Sequence, residues 1–569
     1  MSDSYPTDGS IPPEWLVPDG QQPAYVVAPQ ESDGRRANLP DLLVDRHVRA
    51  GRGDVAAVVQ ADTGETWTYR DLEQQTRRAA AALASLGVQA GDRVAVRSGN
   101  RAEVVILFVA AWRLGAVAAL TPPQARRAEI PFFVQDTGAK VLIVANEGTY
   151  IAETVPCLPE LGSLQAIVAY PDSPGEPFLA WDDLLAAADA DVPDREPQRD
   201  EVAVVWHTGG STGIPKACYH TAYRLVHGAQ PSVAAYGVEL GDVHMFPAPV
   251  GHAAGWLSRT TFSLLPGIPF VELEDFADGA KVLAGITEHR VTWFLALPVT
   301  WAAMLSAYEK APERYDLSSL ERTYAPFIAA SGGWLYDAWA RHGLELLNPM
   351  GSTAFGNWFM VPRHDEKNPP MTLGRPIDGF EARIVVPYSN PLQDVPDGEI
   401  GQLAIRGPSG LTYWNRPELQ ERDVREGWTV IDDLAQLDED GFYWYLGRSD
   451  MMISTSGYKV APLEVEKVIS CHPAVQEVVV TGAPDGLRGE IVMAWVVLRD
   501  ESAATAATAT EIQEHVRDQM SPYKYPRRIA FLRELPHDPL GKIVVKKVVG
   551  WAQGKEEPPN VIAEFGTRV

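Results

Sequence analysis

The segment Thr208-Gly209-Gly210-Ser211-Thr212-Gly213-Ile214-Pro215-Lys216 directly follows a short apolar run at residues 202–206. The run has the length and composition of a buried strand. The three glycines and three hydroxyl side chains then form a loop whose backbone N–H groups can face an anion. Lys216 adds a positive charge at the end of this loop. The segment therefore predicts a strand that ends in a phosphate-binding loop.

Strand-like runs and helical patterns alternate along the chain from residue 39. Leu72, Ala79 and Leu83 recur at helical spacing within residues 70–86, and Gly87 is placed to end that helix. A second, buried helix is predicted over residues 102–119. The other strand-like runs are residues 93–97, 140–145, 291–296, 381–386 and 402–405. This alternation predicts an α/β fold with largely parallel sheets.

The chain also divides by composition. Residues 1–38 are rich in Pro, Gly, Asp and Gln, which indicates an extended lead-in. Residues 39–446 form the predicted large domain of mixed parallel sheets with helices, including a β-rich subdomain near residues 400–444. A hinge at residues 447–452 and a small, mobile α+β domain at residues 453–569 follow. The low-complexity run at residues 503–510 is predicted to be a surface loop.

Composition excludes several classes of protein. The 569 residues carry a net charge of −26, which argues against a non-specific binder of nucleic acid or of anionic membranes. The three cysteines are too few for a disulfide framework or a four-ligand zinc site. The N-terminus lacks the basic and apolar regions of a secretory signal. We therefore expect a cytoplasmic protein, and the oligomeric state stays open.

Taken alone, the Gly-rich loop allows three interpretations. The first is the phosphate-binding loop described above, although it departs from a P-loop because Pro215 precedes Lys216 and no Ser or Thr follows it. It also fits the loose hydrolase pattern G-x-S-x-G with Ser211 as nucleophile, which needs an acid and then a histidine downstream. His472 and His537 come late enough, but nothing else marks either. The third interpretation is an ordinary surface turn.

Five segments in order resemble the superfamily of adenylate-forming enzymes, which includes acyl-CoA synthetases, carrier-protein adenylation domains and luciferases. The Gly-rich loop is similar to the family's first motif, with Gly209 in place of a serine. Residues 350–354, Met-Gly-Ser-Thr-Ala, correspond to Tyr-Gly-x-Thr-Glu. Residues 431–433 and 447–451 correspond to Thr-Gly-Asp and Gly-Arg-x-Asp-Asp. Residues 456–466 and 536–542 resemble the segment after the hinge and the C-terminal lysine motif. Aryl-CoA ligases are the members that the chain resembles most in style.

The resemblance implies two half-reactions. A carboxylate attacks the α-phosphate of ATP to give an acyl-adenylate, and a thiol, expected to be that of coenzyme A, then displaces AMP. Lys542 would bridge the carboxylate and the α-phosphate, Asp450 would be the hinge, and Gly457 would line the thiol passage. Asp433 would hold the ribose and Arg448 would support it. The remaining nucleotide-binding residues would be Thr208, Gly209, Gly210, Ser211, Thr212, Gly213, Lys216, Gly351, Ser352 and Thr353.

The chain departs from the family pattern where ATP is handled. Ala354 stands where the family has a glutamate, which the resemblance implies to be a magnesium ligand. A methyl group cannot replace an oxygen ligand of magnesium. Asp432 adds a charge beside Asp433, and Gly209 removes a hydroxyl. The sequence therefore leaves the adenylation half-reaction open, with magnesium still a candidate cofactor.

Aromatic and small residues stand at the sequence positions that are expected to line the acyl pocket. Aromatic side chains give flat walls, and small residues leave volume, which favours a bulky aromatic or alicyclic acid. The predicted lining residues are Trp206, His252, Trp256, Ala330, Ser331, Gly332 and Met350.

Three functions follow from the sequence. The first is an acyl-CoA ligase that uses ATP and CoA. The second is an enzyme that performs only thioesterification, on an acyl-adenylate made by a separate adenylating protein. The third is a non-catalytic binder of acyl-nucleotides. Carrier-protein loading is less favoured, because no attached carrier motif is visible, although a separate carrier would use the same passage.

Overall fold

The structure is a computed structural model that describes most of the chain. The described residues are 11–24, 37–127, 129–188, 192, 195–198, 200–208, 215–326, 333–448, 451–455, 458–485, 489–520, 523–537 and 543–566.

The described α-helices are mostly short and lie between strands. The first α-helix is preceded by turns of 3₁₀-helix at Pro13–Trp15 and Asp19–Gln21 and by π-helical segments at Asp41–Asp45 and Val48–Arg52. The helices are α1 (Tyr69–Ser85), α2 (Ala102–Arg113), α3 (Ile130–Thr137), α4 (Tyr150–Thr154), α5 (Trp181–Ala187), α6 (Ala222–Ala235), α7 (Ala253–Arg259), α8 (Gly279–His289), α9 (Pro298–Tyr308), α10 (Gly333–Ala340), α11 (Pro417–Asp423), α12 (Pro462–Ser470), α13 (Ala506–Gln519) and α14 (Val545–Ala552).

The described strands fall into five sheets. In chain order they are β1 (Ala56–Gln60), β2 (Glu65–Thr68), β3 (Arg93–Arg97), β4 (Val117–Leu120), β5 (Val141–Ala145), β6 (Ala166–Tyr170), β7 (Leu179–Ala180), β8 (Val202–Thr208), β9 (Lys216–Thr221), β10 (His244–Met245), β11 (Phe270–Glu272), β12 (Trp293–Leu295), β13 (Arg322–Tyr324), β14 (Met350–Ser352), β15 (Asn357–Met360), β16 (Glu381–Val385), β17 (Gly401–Arg406), β18 (Val424–Arg425), β19 (Trp428–Leu437), β20 (Tyr443–Arg448), β21 (Ile453–Thr455), β22 (Tyr458–Val460), β23 (Val475–Asp485), β24 (Gly489–Leu498), β25 (Arg528–Leu532) and β26 (Val561–Gly566).

Two mainly parallel sheets confirm the predicted fold class. One has the order β7-β6-β5-β3-β4-β8-β9 and is parallel except between β8 and β9. The other has the order β13-β12-β10-β11-β1-β2 and is parallel except between β1 and β2. Helix α2 contacts strands of both sheets, and its residues from Val104 to Arg113 are buried. Helices therefore cover strands that are buried on both faces, as parallel sheets require.

An antiparallel sheet and a C-terminal unit complete the molecule. Strands β16, β17, β19, β18 and β20 form the antiparallel sheet, which matches the β-rich region predicted near residues 400–444. The C-terminal sheet has the order β22-β21-β24-β25-β26, with β23 paired to β24 and with α12 and α13 packed beside it. The predicted α+β character of this region is thus present.

Helix α1 shows how local sequence fixes an element. Thr68 caps its first turn by accepting a hydrogen bond from the Asp71 N–H, and Asp71 accepts one from the Thr68 N–H. This reciprocal pair satisfies two backbone donors that the helix leaves free. Gly87 follows the helix with a φ of +78°, a left-handed conformation that favours glycine. The predicted helix and its end are confirmed.

Two sequence predictions about elements are wrong. The helix predicted over residues 102–119 ends at Arg113, because Gly115 turns the chain with a φ of +70° and β4 follows. The loop predicted at residues 503–510 is largely helical, since α13 begins at Ala506. Thr505 caps that helix by accepting a hydrogen bond from the Thr508 N–H at 3.3 Å. Alanine has the highest helix propensity, which outweighs the low complexity of the run.

The lead-in is anchored where the structure describes it. Val17 is buried, and its N–H donates to the Tyr219 hydroxyl at 3.0 Å. The Trp15 carbonyl accepts from the Asn415 N–H at 3.0 Å, and the Trp15 ring contacts that of Trp414 edge-on at 5.4 Å. Residues 11–24 therefore fasten the β8–β9 hairpin to the segment that enters the antiparallel sheet, whereas the sequence indicated only an extended lead-in.

Two further features concern the surface. None of the helices in the described part of the chain is long and apolar enough to cross a bilayer. Cys157 and Cys218 are buried, whereas Cys471, at the end of α12, is exposed.

Candidate functional site

The predicted phosphate-binding loop connects strands β8 and β9, and its base is the last residue pair of that hairpin. Thr208 and Lys216 are paired in the ladder, and the Thr208 hydroxyl donates to the Lys216 carbonyl at 3.2 Å. The two ends of the loop are therefore held together at the carboxyl end of β8, the edge where open α/β sheets bind ligands. Gly209, Gly210, Ser211, Thr212 and Gly213 lie outside the described residues.

Trp206 joins this hairpin to the second predicted motif. Its indole N–H donates to the Thr353 carbonyl at 3.0 Å, and the Cys218 thiol lies 3.8 Å from the same oxygen. Gly351 is required here, because a Cβ at this position would lie 2.7 Å from the Asn357 carbonyl oxygen. The structure thus brings Trp206, Thr353, Ser352 and Gly351 together beside the base of the loop.

Ala354 lies in the turn between β14 and β15. Its N–H donates to the Ser352 hydroxyl at 3.1 Å, and the residue is 8% exposed within the main apolar cluster. Its methyl group offers no donor to a metal. Among the described residues, no group of three or more His, Cys, Asp or Glu side chains is placed to hold a metal ion. The residues present at this turn therefore do not fit the magnesium site that the resemblance implies.

Tryptophans form the core beside this turn. The rings of Trp206 and Trp256 contact at 5.4 Å, and Trp112 contacts Trp256 edge-on at 5.5 Å. Trp206, Trp256 and Met350 are buried. His252 is exposed instead and caps α7, where its Nδ1 accepts from the Ala254 N–H at 3.3 Å. The remaining predicted pocket residues, Ala330, Ser331 and Gly332, lie outside the described part of the chain.

Asp433 and Arg448 lie opposite each other on the antiparallel sheet. They are a cross-strand pair of β19 and β20. The Arg448 guanidinium also donates to the Asp432 carboxylate at 3.3 Å. The extra acid noted in the sequence is thus an ion-pair partner of Arg448.

Three residues are predicted to act in catalysis or in the hinge, namely Lys542, Gly457 and Asp450. All three lie outside the described residues. Their roles stay predictions.

A buried polar network lies on the other face of β8 and is absent from the sequence prediction. His207 Nε2 lies 3.1 Å from Asp136 Oδ2, and Arg416 pairs with the other oxygen of the same carboxylate. Although burial acts to raise it, the hydrogen bond from His207 and the charge of Arg416 hold the pKa of Asp136 below its usual value. The signal was the alternation of faces along β8, which turns His207 away from Trp206.

His220 is a second buried residue that the sequence did not single out. Its ring contacts Trp206 at 4.9 Å, and burial, with a smaller effect of the Arg224 charge, lowers its pKa to about 3. A neutral imidazole therefore packs behind Trp206. The pattern of a buried strand could have placed it there, since His220 lies on the same hairpin.

Comparison with known proteins agrees with this geometry. The model of the AMP-binding enzyme family matches residues 44–414, and the model of the AMP-binding enzyme C-terminal domain matches residues 464–542. Benzoate–CoA ligase from Thauera aromatica is 30% identical over 513 residues, which are 89% of this chain and 95% of that protein. Long-chain-fatty-acid–CoA ligase FadD13 from Mycobacterium tuberculosis is 30% identical over 86% of this chain and 93% of that protein.

A solved structure is also similar over nearly the whole chain. The anthranilate CoA ligase AuaEII in complex with anthranoyl-AMP superposes with a TM-score of 0.82 at 28% identity, covering 92% of this chain and 98% of that one. The first family model spans well over half of the present chain, and its match includes both the β8–β9 hairpin and the Thr353 segment. The chain therefore belongs to the AMP-binding enzyme family, which is the adenylate-forming superfamily.

Proposed function

We propose that this protein is an acid–thiol ligase that forms the CoA thioester of a bulky aromatic or alicyclic carboxylic acid through an acyl-adenylate. The observation that supports this best is the hydrogen bond from Trp206 to the Thr353 carbonyl. It joins the base of the phosphate-binding loop to the segment that resembles the adenylate-binding motif. An acyl-adenylate needs the loop and this segment close together, because its acyl group is bonded directly to its phosphate.

The similar proteins support the substrate class. Benzoate–CoA ligase and the anthranilate CoA ligase are both named for aromatic acids. The buried rings of Trp206 and Trp256 meet at an interplanar angle of 70° next to Thr353, so they form an aromatic corner and not one flat face. A planar ring packs well against aromatic side chains, because such rings attract each other when offset or edge-on.

In the first half-reaction the acid carboxylate forms a bond to the α-phosphorus of ATP, and pyrophosphate leaves. Two anions must approach each other, so the step needs positive charge at the phosphates. Lys216 and Lys542 are the proposed sources in this chain. Asp433 is proposed to accept hydrogen bonds from the ribose hydroxyls, with Arg448 beside it.

In the second half-reaction the thiol sulfur forms a bond to the acyl carbon, and AMP leaves with the electrons of the broken C–O bond. Gly457 is proposed to line the passage of the thiol, where a side chain would obstruct it. Asp450 is proposed as the hinge between a large domain ending at residue 446 and a small domain beginning at residue 453.

Ala354 favours a second candidate, an enzyme that performs only thioesterification. The turn that holds Ala354 supplies no carboxylate to a magnesium ion, and the added acid noted in the sequence, Asp432, is paired with Arg448. Loss of such a ligand costs several powers of ten in rate when a metal carries the charge of phosphoryl transfer. An acyl-adenylate from another protein would then be the substrate.

One experiment separates these candidates. The purified protein receives a synthetic benzoyl-adenylate with CoA, or benzoate with ATP, magnesium and CoA, and a panel of bulkier acids follows. Thioester from both mixtures identifies a two-step ligase, and thioester from the adenylate alone identifies a split ligase. Bound adenylate without any thioester would contradict both and indicate a binding protein. Ser211→Ala is the control against a hydrolase, which would release free acid and lose that activity.

A further inference from the structure

Asp432 is the added acid beside Asp433 and Arg448, the two residues that are proposed to hold the ribose of the nucleotide. It is 32% exposed and pairs with Arg448, which is 35% exposed, at 3.3 Å. Its neighbour Asp433 stands directly opposite Arg448 across the ladder. Arg448 is therefore the ion-pair partner of Asp432 and the cross-strand neighbour of Asp433.

Arg422, a cation whose pKa the charge of Asp432 raises slightly, is paired with another acid. The Arg422 guanidinium pairs with Asp423 through two hydrogen bonds of 2.5 and 2.6 Å. The hydrogen bond to Asp423, with the charge of Asp432 as a smaller contribution, raises the pKa of Arg422. Asp432 therefore adds one negative charge beside Arg448 and Arg422.

We propose that Asp432 is a specificity-determining residue that disfavours ATP relative to a preformed acyl-adenylate. This inference rests on the proposed function, because it takes Asp433 and Arg448 as the nucleotide-facing pair. With an uncharged residue in place of Asp432, Arg448 has one carboxylate neighbour fewer. The Asp432 carboxylate thus adds one negative charge close to the residue pair that is proposed to hold the nucleotide.

The size of this effect depends on ligand charge. ATP carries about four negative charges near neutral pH, whereas an acyl-adenylate carries about one. Across about 10 Å of water, three additional charges change a binding constant by roughly three- to tenfold at low salt. Salt screens such exposed charges, since the Debye length is about 10 Å at 0.1 M. The selectivity between the two ligands should therefore depend on ionic strength.

The test measures equilibrium binding of ATP and of a non-hydrolysable sulfamoyl analogue of benzoyl-adenylate by titration calorimetry. Wild type, Asp432→Asn and Asp432→Gly are compared at 20 mM and 500 mM NaCl. We expect both variants to bind ATP about three- to tenfold more tightly at low salt and to lose most of this gain at high salt. Affinity for the analogue should change by less than about twofold.

Asp397→Asn is the matched control, because Asp397 is exposed and precedes β17 of the same antiparallel sheet. It removes one charge from the protein without touching Arg448. Unchanged ATP affinity in both Asp432 variants would overturn the inference, as would an equal gain for both ligands or in Asp397→Asn. If wild type binds neither ligand, the proposed function itself fails; thioester formation without any shift in ATP affinity refutes the role of Asp432 alone.

Discussion

Ala354 is the residue on which the choice between the two candidate activities depends. It occupies a tight turn between two short strands, and its backbone N–H is already used by Ser352. A longer side chain here must extend out of the apolar cluster or displace its neighbours. The sequence identifies the substitution, and the structure adds that the turn between β14 and β15 contains no carboxylate in its place.

We predict that Ala354→Glu increases ATP–pyrophosphate exchange by at least about tenfold. The reason is that a carboxylate at this position adds an oxygen ligand of the kind that magnesium prefers. Ala354→Gln has the same size without the charge and should show no increase. An equal rate in both variants, at unchanged melting temperature, would mean that ligand charge at residue 354 does not limit adenylation.

Glu466 leads to a prediction about pH. It is buried on α12, accepts one hydrogen bond from the Val480 N–H at 2.8 Å, and burial raises its pKa to about 8. The folded state then keeps a proton that the unfolded state releases above its ordinary pKa of 4.5. The contribution of Glu466 to the free energy of unfolding should therefore decrease as pH rises from 4.5 to about 8 and then level off.

Glu466→Gln should flatten this dependence, because an amide does not titrate. Each unit of pKa difference is worth about 1.4 kcal/mol, so the variant should be the more stable protein above pH 8. Urea unfolding between pH 5 and 9 measures this, with exposed Glu514→Gln as control. Parallel stability curves for Glu466→Gln and wild type would show that Glu466 is ionised in the folded protein.

At the scale of elements, strand β8 has two different faces. Trp206 points toward Thr353, whereas His207, the next residue, points toward Asp136 and Arg416. The carboxylate of Asp136 thereby connects α3, β8 and the segment before α11. The loop that is predicted to bind phosphate leaves from a strand end that is fixed on both faces.

We predict that Asp136→Asn lowers the free energy of unfolding by about 2–4 kcal/mol. It removes the charge that compensates a partly buried guanidinium, and broken buried ion pairs are costly. Chemical denaturation measures the change, and exposed Asp378→Asn is the control. If the two variants lose equal stability, the network contributes no more than a surface charge.

The sequence predicts elements well where hydrophobic period and end signals agree. Helix α1 has both, and so its range and its glycine end are correct. The run from residue 102 fails because a fully apolar segment fits a buried helix and a buried strand equally well. Only the glycine at residue 115 separates α2 from β4.

The sequence singles out residues of contiguous motifs and misses residues whose contacts depend on strand faces. Thr208, Lys216, Gly351 and Thr353 belong to contiguous motifs, which a sequence displays directly. His207, His220 and Asp136 act through contacts between distant elements, and their residue types carry no motif. The alternation of faces along β8 separates His207 from Trp206, but which distant residue meets each face depends on the tertiary fold.

At the scale of the whole molecule, the lead-in connects parts that are far apart in sequence. Trp15 contacts Trp414 and also lies 5.9 Å from the Arg93 guanidinium. We predict that Trp15→Ala lowers the free energy of unfolding by about 1–3 kcal/mol, because a large, partly buried ring is removed. Trp334→Ala is the control, since Trp334 is 47% exposed. Equal melting temperatures of the two variants would contradict a stabilising role of the lead-in.

The C-terminal unit follows the predicted hinge in sequence and contacts the antiparallel sheet that precedes the hinge. Lys467 lies 5.4 Å from the centre of the Trp444 ring, and the Leu463 side chain faces Gly447. Both contacts join α12 to β20. The boundaries at residues 446 and 453, and the motion between the domains, stay predictions.

The burial of the cysteines has a practical use in following that motion. Two thiols are shielded within the large domain, and Cys471 is exposed at the end of α12. A maleimide fluorophore or nitroxide should therefore attach at one site without any prior mutagenesis. Adding one engineered cysteine on the antiparallel sheet would give a two-probe ruler, with which distances could be recorded during each half-reaction in solution.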